Sequence, residues 1–121
     1  MYNVAHEFII DCVCSDFGIT KEQLLSTNRK THLVDARQAC SFALRELGFT
    51  YKKIADDLGY KDHAIIIHLL KYRHHNSVEN QRTALRAVMS YRDMALLEKV
   101  AVSQNMKAKF LRTKKFLPWE Q

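Results

Sequence analysis

The chain has 121 residues, the size of one ordinary domain, and its 47% of apolar residues can form a buried core. Only three glycines and one proline occur, which argues against a loop-rich or all-β fold and favours long helices. No apolar run approaches the ~20 residues that span a bilayer, and no basic segment precedes an apolar one, as in a signal peptide. We therefore expect a soluble, cytoplasmic protein.

The charge is unevenly distributed. The formal net charge is +6 and the isoelectric point is about 9.3, which favours a polyanionic partner. Residues 1–75 contain ten Lys and Arg against nine Asp and Glu, a balance of +1, whereas residues 76–121 contain nine against four, a balance of +5. Part of this excess of positive charge lies in a basic tail, which either forms a solvated helix end or contacts phosphates non-specifically. The tail residues are Lys107, Lys109, Arg112, Lys114 and Lys115.

The cysteines do not indicate a disulfide framework or a metal site. There are three, Cys12, Cys14 and Cys40, and an odd number without a secretion signal favours free thiols. Cys12 and Cys14 are two residues apart, so on a helix they point to different faces and chelate one metal poorly. No Ser-His-Asp, Cys-His or paired-carboxylate set occurs in a recognisable frame. We expect no metal, no cofactor and no enzymatic activity.

The first half of the chain predicts three helices and a basic loop. Apolar residues recur at helical spacing from Val4 until Gly18, where a helix is expected to stop. Thr20 and Gln23 have the spacing of a capping box and open a short second helix. A polar, basic loop over residues 26–32 precedes a third, strongly helical stretch. The second helix is expected to end at Leu25, and the third to run from Val34 to Leu47 before Gly48.

The pattern of residues 51–65, YKKIADDLGYKDHAI, is typical of a helix-turn-helix. Ala55 lets the two helices cross closely, Gly59 takes the turn conformation, and Ile65 is expected to seal the second helix onto the first. Thr50 would cap the first helix, and the second is expected from about Asp62 to His75, with an apolar stripe of Ile65, Ile66, Leu69 and Leu70.

A long amphipathic helix is predicted after a break at residues 76–77. It is expected from Val78 to about Phe110, and Pro118 stops any helix near the end of the chain. One side carries apolar residues that need a cover, either the core of the domain or a second copy of the chain. These residues are Leu85, Val88, Met89, Leu96 and Val100.

Three segments, taken together, resemble the C-terminal DNA-binding domain of the bacterial replication initiator DnaA. They are LLSTNRKT at 24–31, DARQACSFALRELG at 35–48 and IADDLGYKDHAIIIH at 54–68, and their order and spacing agree over about residues 4–74. The resemblance implies an all-α fold: a compact, Trp-repressor-like helix-turn-helix domain of about five helices, here followed by a long C-terminal helix. We expect the domain to span residues 1–75 and the helical extension with its basic tail to span residues 76–121.

The resemblance also implies a role for each matching residue. Arg29, next to Lys30 in the basic loop, corresponds to an arginine that enters the minor groove, where negative potential is concentrated. Lys61, Asp62 and His63 correspond to residues that contact bases in the major groove, and Ala64 can touch a thymine methyl group. Positions that contact the DNA backbone are matched by Arg37, Gln38, Tyr51, Lys52 and His68, and the positions of Tyr51 and Lys52 also approach adjacent bases. Two of these residues have a structural alternative: Arg37 in an ion pair with Asp35 or Glu46, and His68 as a histidine of the core.

The sequence departs from the family in two places. Ala64 and Ile65 stand where the family has two hydroxyl residues, and Asn28 and Thr31 stand where it often has arginines. One base contact provides about 1–3 kcal/mol of discrimination, so its loss should weaken or change specificity. The chain also has no Gly-rich phosphate loop and no room for an ATPase domain.

We therefore expect a sequence-preferring binder of double-stranded DNA that regulates replication or transcription without ATPase activity. A stand-alone initiator domain suits a phage or mobile element acting at the bacterial nucleoid. The C-terminal helix could form a homodimer, and replication proteins are further candidate partners. The alternative hypothesis is a protein-binding adaptor with a degenerate helix-turn-helix, because Ala64 and Ile65 make the contact surface less polar.

Overall fold

The computed structural model describes the backbone of residues 4–110 and the side chains of residues 5–97. Every regular element in this part of the chain is a helix, which confirms the predicted all-α fold. The helices are α1 (Val4–Phe17), α2 (Lys21–Leu25), α3 (Thr31–Glu46), α4 (Tyr51–Leu58), α5 (Ala64–Lys71) and α6 (Ser77–Phe110).

Two threonines begin helices as the sequence predicts. The Thr20 hydroxyl accepts from the Gln23 backbone N–H at 3.1 Å, and the Gln23 side chain accepts from the Thr20 backbone N–H at 2.8 Å. This is a complete capping box, and it satisfies two backbone donors at the start of α2. The Thr50 hydroxyl likewise accepts from the backbone N–H of Lys53, so α4 begins at its predicted position.

Helix α3 lies at the centre of the domain and contacts α1, α2, α4 and α5. Small residues on α3, such as Ala36, Ala39 and Ala43, are fully buried, so neighbouring helices can approach closely on several sides. The larger buried side chains that fill the surrounding core are Ile9, Ile10, Val13, Leu24, Leu44, Ile54, Ile66 and Val88.

The compact unit extends beyond the boundary expected at residue 75. It ends at Tyr91 and includes the first half of α6, because Ala84 and Val88 belong to the same buried core as residues of α1 and α3. Asn80 of α6 is also buried and donates to Asp35 and Gln38 of α3. The Tyr91 ring also contacts Phe8 of α1 edge to face, with 5.6 Å between ring centroids. The second unit begins at Arg92, and its described part, to residue 110, is helical.

The predicted apolar side of α6 is covered only in part. Val88 is fully buried, but Leu85, Met89 and Leu96 are 52%, 56% and 61% exposed. The side chain of Val100 lies outside the described residues, as do the side chains of Lys107 and Lys109 and all of Arg112, Lys114, Lys115 and Pro118.

Helix α5 is shorter than the sequence predicts. It begins at Ala64 because the Asp62 carboxylate accepts from the Ala64 backbone N–H at 2.9 Å and forms a turn before the helix. It ends at Lys71. In the segment that follows, the side chain of Arg73 pairs with Asp35, and Asn76 adopts a positive φ of 53°. Lys61, Asp62 and His63 therefore precede α5. Across residues 4–110, no helix is long and apolar enough to cross a membrane.

Candidate nucleic-acid interface

Helices α4 and α5 form the predicted helix-turn-helix. Ala55 is 2% exposed, and its carbonyl accepts from the Tyr60 backbone N–H at 2.8 Å as the chain leaves α4. Gly59 ends α4 in the left-handed conformation, with φ 80° and ψ 18°, which residues with a Cβ rarely adopt. The two residues thus have the roles that their spacing predicts.

The residue that seals the motif is Ile66, and the prediction of Ile65 is wrong. Ile66 is fully buried and Leu69 is 7% exposed, whereas Ile65 is 42% exposed. Ile66 and Leu69 are three residues apart on α5 and therefore share the face toward the core. Ile65 lies on the flank of that face.

The start of α5 presents a row of exposed side chains. Lys61, Asp62, His63 and Ala64 are all exposed, and the Asp62 and His63 side chains are 67% and 57% accessible. One Asp62 carboxylate oxygen accepts from the backbone N–H of Ala64, so this side chain forms a turn just before the helix while remaining on the surface. The charged and polar side chains of residues 61–63 thus come immediately before the apolar pair Ala64 and Ile65.

His68 continues this surface along α5, together with a residue that sequence analysis missed. Its ring lies 5.7 Å from the ring of Tyr72, measured between centroids, and Tyr72 is 64% exposed. Residues four apart share a face of a helix. That spacing from His68 could have identified Tyr72.

The loop between α2 and α3 presents Arg29 and Lys30 to solvent. Its conformation is fixed locally by short polar side chains. The Asn28 carboxamide accepts from the Lys30 backbone N–H at 2.9 Å, and the Ser26 hydroxyl accepts from the Asn28 backbone N–H at 3.3 Å. Arg29 therefore lies in an ordered turn.

Arg37 is buried beneath this loop, which corrects the expectation that it contacts phosphate. Its side chain is directed to backbone carbonyls, and the residue is only 4% exposed. Nε donates to Leu24 at 2.7 Å, Nη1 to Asn28 at 2.7 Å, and Nη2 to Ser26 at 2.7 Å. Arg37 holds the loop that carries Arg29.

Gln38 is also buried, and the expectation of a phosphate contact is corrected for the same reason. It is fully inaccessible, and its Nε2 donates to the carbonyls of Leu69 and Arg73 at 2.8 and 2.9 Å. Its Oε1 accepts from Asn80 at 2.7 Å. Gln38 therefore satisfies carbonyls at the end of α5 and joins them to α6.

The loop and the helix-turn-helix border one groove, which we call the loop–turn groove. Arg29 and Arg37 line it from the loop side, and Gly59, Tyr60 and Ile65 line it from the motif. Burial raises the pKa of the Tyr60 hydroxyl, and the neighbouring Arg37 guanidinium opposes this shift in part. Residues separated by about thirty positions in sequence are thus brought together at one surface.

Tyr51 and Lys52 lie at the start of α4. Lys52 is exposed, whereas Tyr51 is half-buried with the Arg45 guanidinium 4.3 Å from its ring centroid. Such a cation–π contact keeps the arginine close to the ring. Arg45 is a further exposed cation beside these residues, and its contact across the α3–α4 turn could not be predicted from spacing alone.

Within the described residues, no group of three or more His, Cys, Asp and Glu is placed to hold a metal ion. The three cysteines are free. Burial raises the pKa of all three thiols, most strongly at Cys40, and nearby carboxylates add to the shift at Cys12.

Comparison with known proteins places this geometry in a family. Residues 6–72, more than half of the chain, match the family model described as the bacterial DnaA protein helix-turn-helix. The chromosomal replication initiator protein DnaA of Synechococcus sp. (strain JA-2-3B'a(2-13)) is 35% identical over 66 residues, covering 54% of this chain and 14% of the relative. The protein of the same name from Bacteroides fragilis (strain YCH46) is 34% identical over 64 residues, covering 52% and 13%.

The matching region has limits. The chain spans 13–16% of the length of the curated relatives that it matches. No solved structure matches it significantly. The match covers α1 to α5 from residue 6 onward, including the basic loop and both helices of the helix-turn-helix. The chain belongs to the bacterial DnaA helix-turn-helix family.

Proposed function

We propose that this chain binds double-stranded DNA with a sequence preference, through α5 in the major groove and Arg29 in the minor groove. The observation that supports the proposal most strongly is the loop–turn groove, which is bordered by both Arg29 and the beginning of α5. A duplex placed against the exposed start of α5 can then be approached by a cation from the adjacent loop. Narrow minor grooves attract arginine, and major grooves admit a helix.

In this proposal some exposed residues contact base edges and others contact phosphates. In this proposal Lys61, Asp62 and His63 face base edges, because they precede the recognition helix and are accessible. Phosphates are contacted by side chains around this surface, which fix the register without selecting sequence. The contributing residues are Lys30, Tyr51, Lys52, His68 and, as non-specific contacts from the tail, Lys107, Lys109, Arg112, Lys114 and Lys115.

The proposed biological role is regulation of replication or transcription. The relatives are named replication initiators, but the match covers only 14% of the first of them. A DnaA-type helix-turn-helix domain could compete for initiator sites or mark the origin of a phage or mobile element in the bacterial cytoplasm. A homodimer through the C-terminal helix would pair two half-sites and raise affinity. Replication proteins remain candidate partners.

The test is selection from a random duplex DNA pool at near-physiological salt, followed by sequencing and by titration of the enriched duplex over a range of salt concentrations. We expect one enriched motif and an affinity that falls steeply with salt, because phosphate contacts release counterions. Replacing Arg29 and His63 by alanine should weaken binding to the selected duplex and relax its sequence preference.

The matched control is Arg82→Ala on α6. Like Arg29→Ala, it removes one exposed positive charge, but from a pair with Glu79 away from the loop–turn groove. It should change affinity less than Arg29→Ala does. Weak, salt-sensitive binding without an enriched motif would reduce the function to non-specific contact. An absence of duplex binding would contradict the proposal and favour the adaptor hypothesis.

A further inference from the structure

Ile65 is an exposed aliphatic side chain at the second position of the recognition helix. It is 42% exposed, although Ile66 and Leu69 already fill the core-facing side of α5. The fold therefore does not need a branched alkyl group at this position. Water contact with such a group is unfavourable, and its cover by a ligand would be stabilising.

The surroundings of Ile65 indicate a polyanion that carries a small apolar group. The exposed residues Lys61 and His63 come just before it in the chain, and Arg29 lines the same groove. An apolar peptide would leave the cations Lys61 and Arg29 without anionic partners. A DNA duplex would satisfy them, because it offers phosphates and, in the major groove, one apolar group per A·T pair, the C5-methyl of thymine.

We propose that Ile65, assisted by Ala64, selects thymine at one position of the target through contact with its C5-methyl group. This inference rests on the proposed binding of duplex DNA and names a specificity-determining residue within it. Neither side chain carries a polar atom, so neither can distinguish bases by hydrogen bonding. The resulting preference is for a methyl group in the major groove and does not depend on the hydrogen-bonding groups of either base.

The experiment removes this methyl group without changing base pairing. Each thymine of the selected duplex is replaced in turn by deoxyuridine, and the affinity of the full chain is measured. At one thymine we expect a loss of about fourfold, which corresponds to about 0.8 kcal/mol for one buried methyl-sized group. Against Ile65→Ala, the same replacement should have little effect, because the partner of the methyl group is gone.

Two further variants keep the result interpretable. Ile65→Val retains a branched side chain and should preserve most of the deoxyuridine effect. Leu85→Ala removes a similarly exposed aliphatic group, 52% accessible, from α6 and should leave the effect unchanged. Circular dichroism of each variant checks that the fold is retained.

The outcomes separate this inference from the proposed function. If the chain binds the selected duplex but no deoxyuridine replacement weakens it, the thymine contact is refuted while DNA binding stands. The contact is refuted equally if Ile65→Ala and the wild type lose the same affinity on methyl removal, because Ile65 is then not the partner. If no duplex binds at all, the proposed function fails first.

Discussion

Arg37 donates a 2.7 Å hydrogen bond from Nη1 to the carbonyl oxygen of Asn28, the residue directly before Arg29. Further donors of the same guanidinium bond the carbonyls of Leu24 and Ser26. The planar guanidinium of arginine carries five donors on three separate nitrogens and can reach carbonyls at several points of the loop, whereas the three donors of a lysine ammonium all lie on one nitrogen. The loop is thereby ordered before any ligand arrives, and ordering it on binding would otherwise reduce affinity.

We predict that Arg37→Lys weakens duplex binding through Arg29 and not through a lost charge, because the charge is retained. The measurement is a double-mutant cycle on affinity with Arg29→Ala, at a temperature where all variants are folded. Once Arg29 is absent, Arg37→Lys should cost little more, so the two effects should be clearly non-additive. The matched control is Arg73→Lys, which disturbs a partly buried arginine paired with Asp35 instead. Its effect should add to that of Arg29→Ala, and additivity for Arg37 would contradict the prediction.

The Asp35 carboxylate predicts a stability that depends on acid pH. Burial opposes its ionisation, but hydrogen bonds from Asn76, Arg73 and Asn80 outweigh this effect, so the pKa of Asp35 lies below its usual range. A group with a lowered pKa stabilises the fold above its unfolded-state value of about 4, and this contribution disappears as the pH falls through the lowered value. The free energy of unfolding, measured by urea denaturation, should therefore decrease below about pH 4.

Asp35→Asn should remove this part of the pH dependence and lower stability at neutral pH on the order of 1–3 kcal/mol, because hydrogen bonds to a charged group are lost. Asp62→Asn changes a carboxyl whose side chain is 67% exposed and serves as its comparison. It should flatten the pH profile less. An unchanged profile in Asp35→Asn would show that the buried network does not control acid stability.

Gly59 should tolerate asparagine better than alanine. A Cβ at this position would meet nothing within 4 Å, so the effect of substitution comes from the backbone conformation at φ +80° alone. The left-handed region costs a residue with a Cβ roughly 1–2 kcal/mol, whereas asparagine adopts it more readily. Chemical denaturation should rank the wild type above Gly59→Asn and both above Gly59→Ala. Equal stability of the wild type and Gly59→Ala would disprove a conformational requirement.

Most helices of the fold could be predicted from patterns of residues close together in the sequence. The Thr20 and Thr50 caps, the turn at Gly59 and the helical spacing each depend on residues within a few positions of one another, so the sequence alone is sufficient. The beginning of α5 was misplaced by two residues because the Asp62 turn looks like helix in a periodic pattern. Of the two isoleucines in the predicted apolar stripe, Ile66 faces the core and Ile65 is exposed.

Site residues could be predicted from the sequence only where their place in a loop or at a helix start makes their side chains exposed. Arg29 and His63 are exposed as expected, but Arg37 and Gln38 bond residues of other elements, 9–14 and 31–42 positions away. Contacts between residues so far apart in the chain produce no helical spacing pattern by which a single sequence could reveal them. A polar residue on a helix looks the same whether it contacts solvent, a ligand or a distant carbonyl.

Gln38→Leu should destabilise the domain without removing a DNA contact. Leucine has a similar size, but it would remove the side-chain donor to the carbonyls of Leu69 and Arg73 and the acceptor for one N–H of the Asn80 amide. Each unsatisfied buried group costs about 1–3 kcal/mol, so the loss of stability should reach at least that range. Gln81→Leu, at an exposed glutamine that bonds Ser77, should stay within about 0.5 kcal/mol of the wild type.

The decisive measurement combines urea denaturation with duplex affinity corrected for the folded fraction. Because Gln38 is inaccessible to solvent, folded Gln38→Leu should bind DNA as the wild type does, at a temperature low enough to keep it folded. A phosphate contact would give the opposite pair of results, with nearly unchanged stability and weaker binding by the folded protein. That pair would require α3 to move on binding so that Gln38 exchanges its two carbonyl partners for phosphate oxygens.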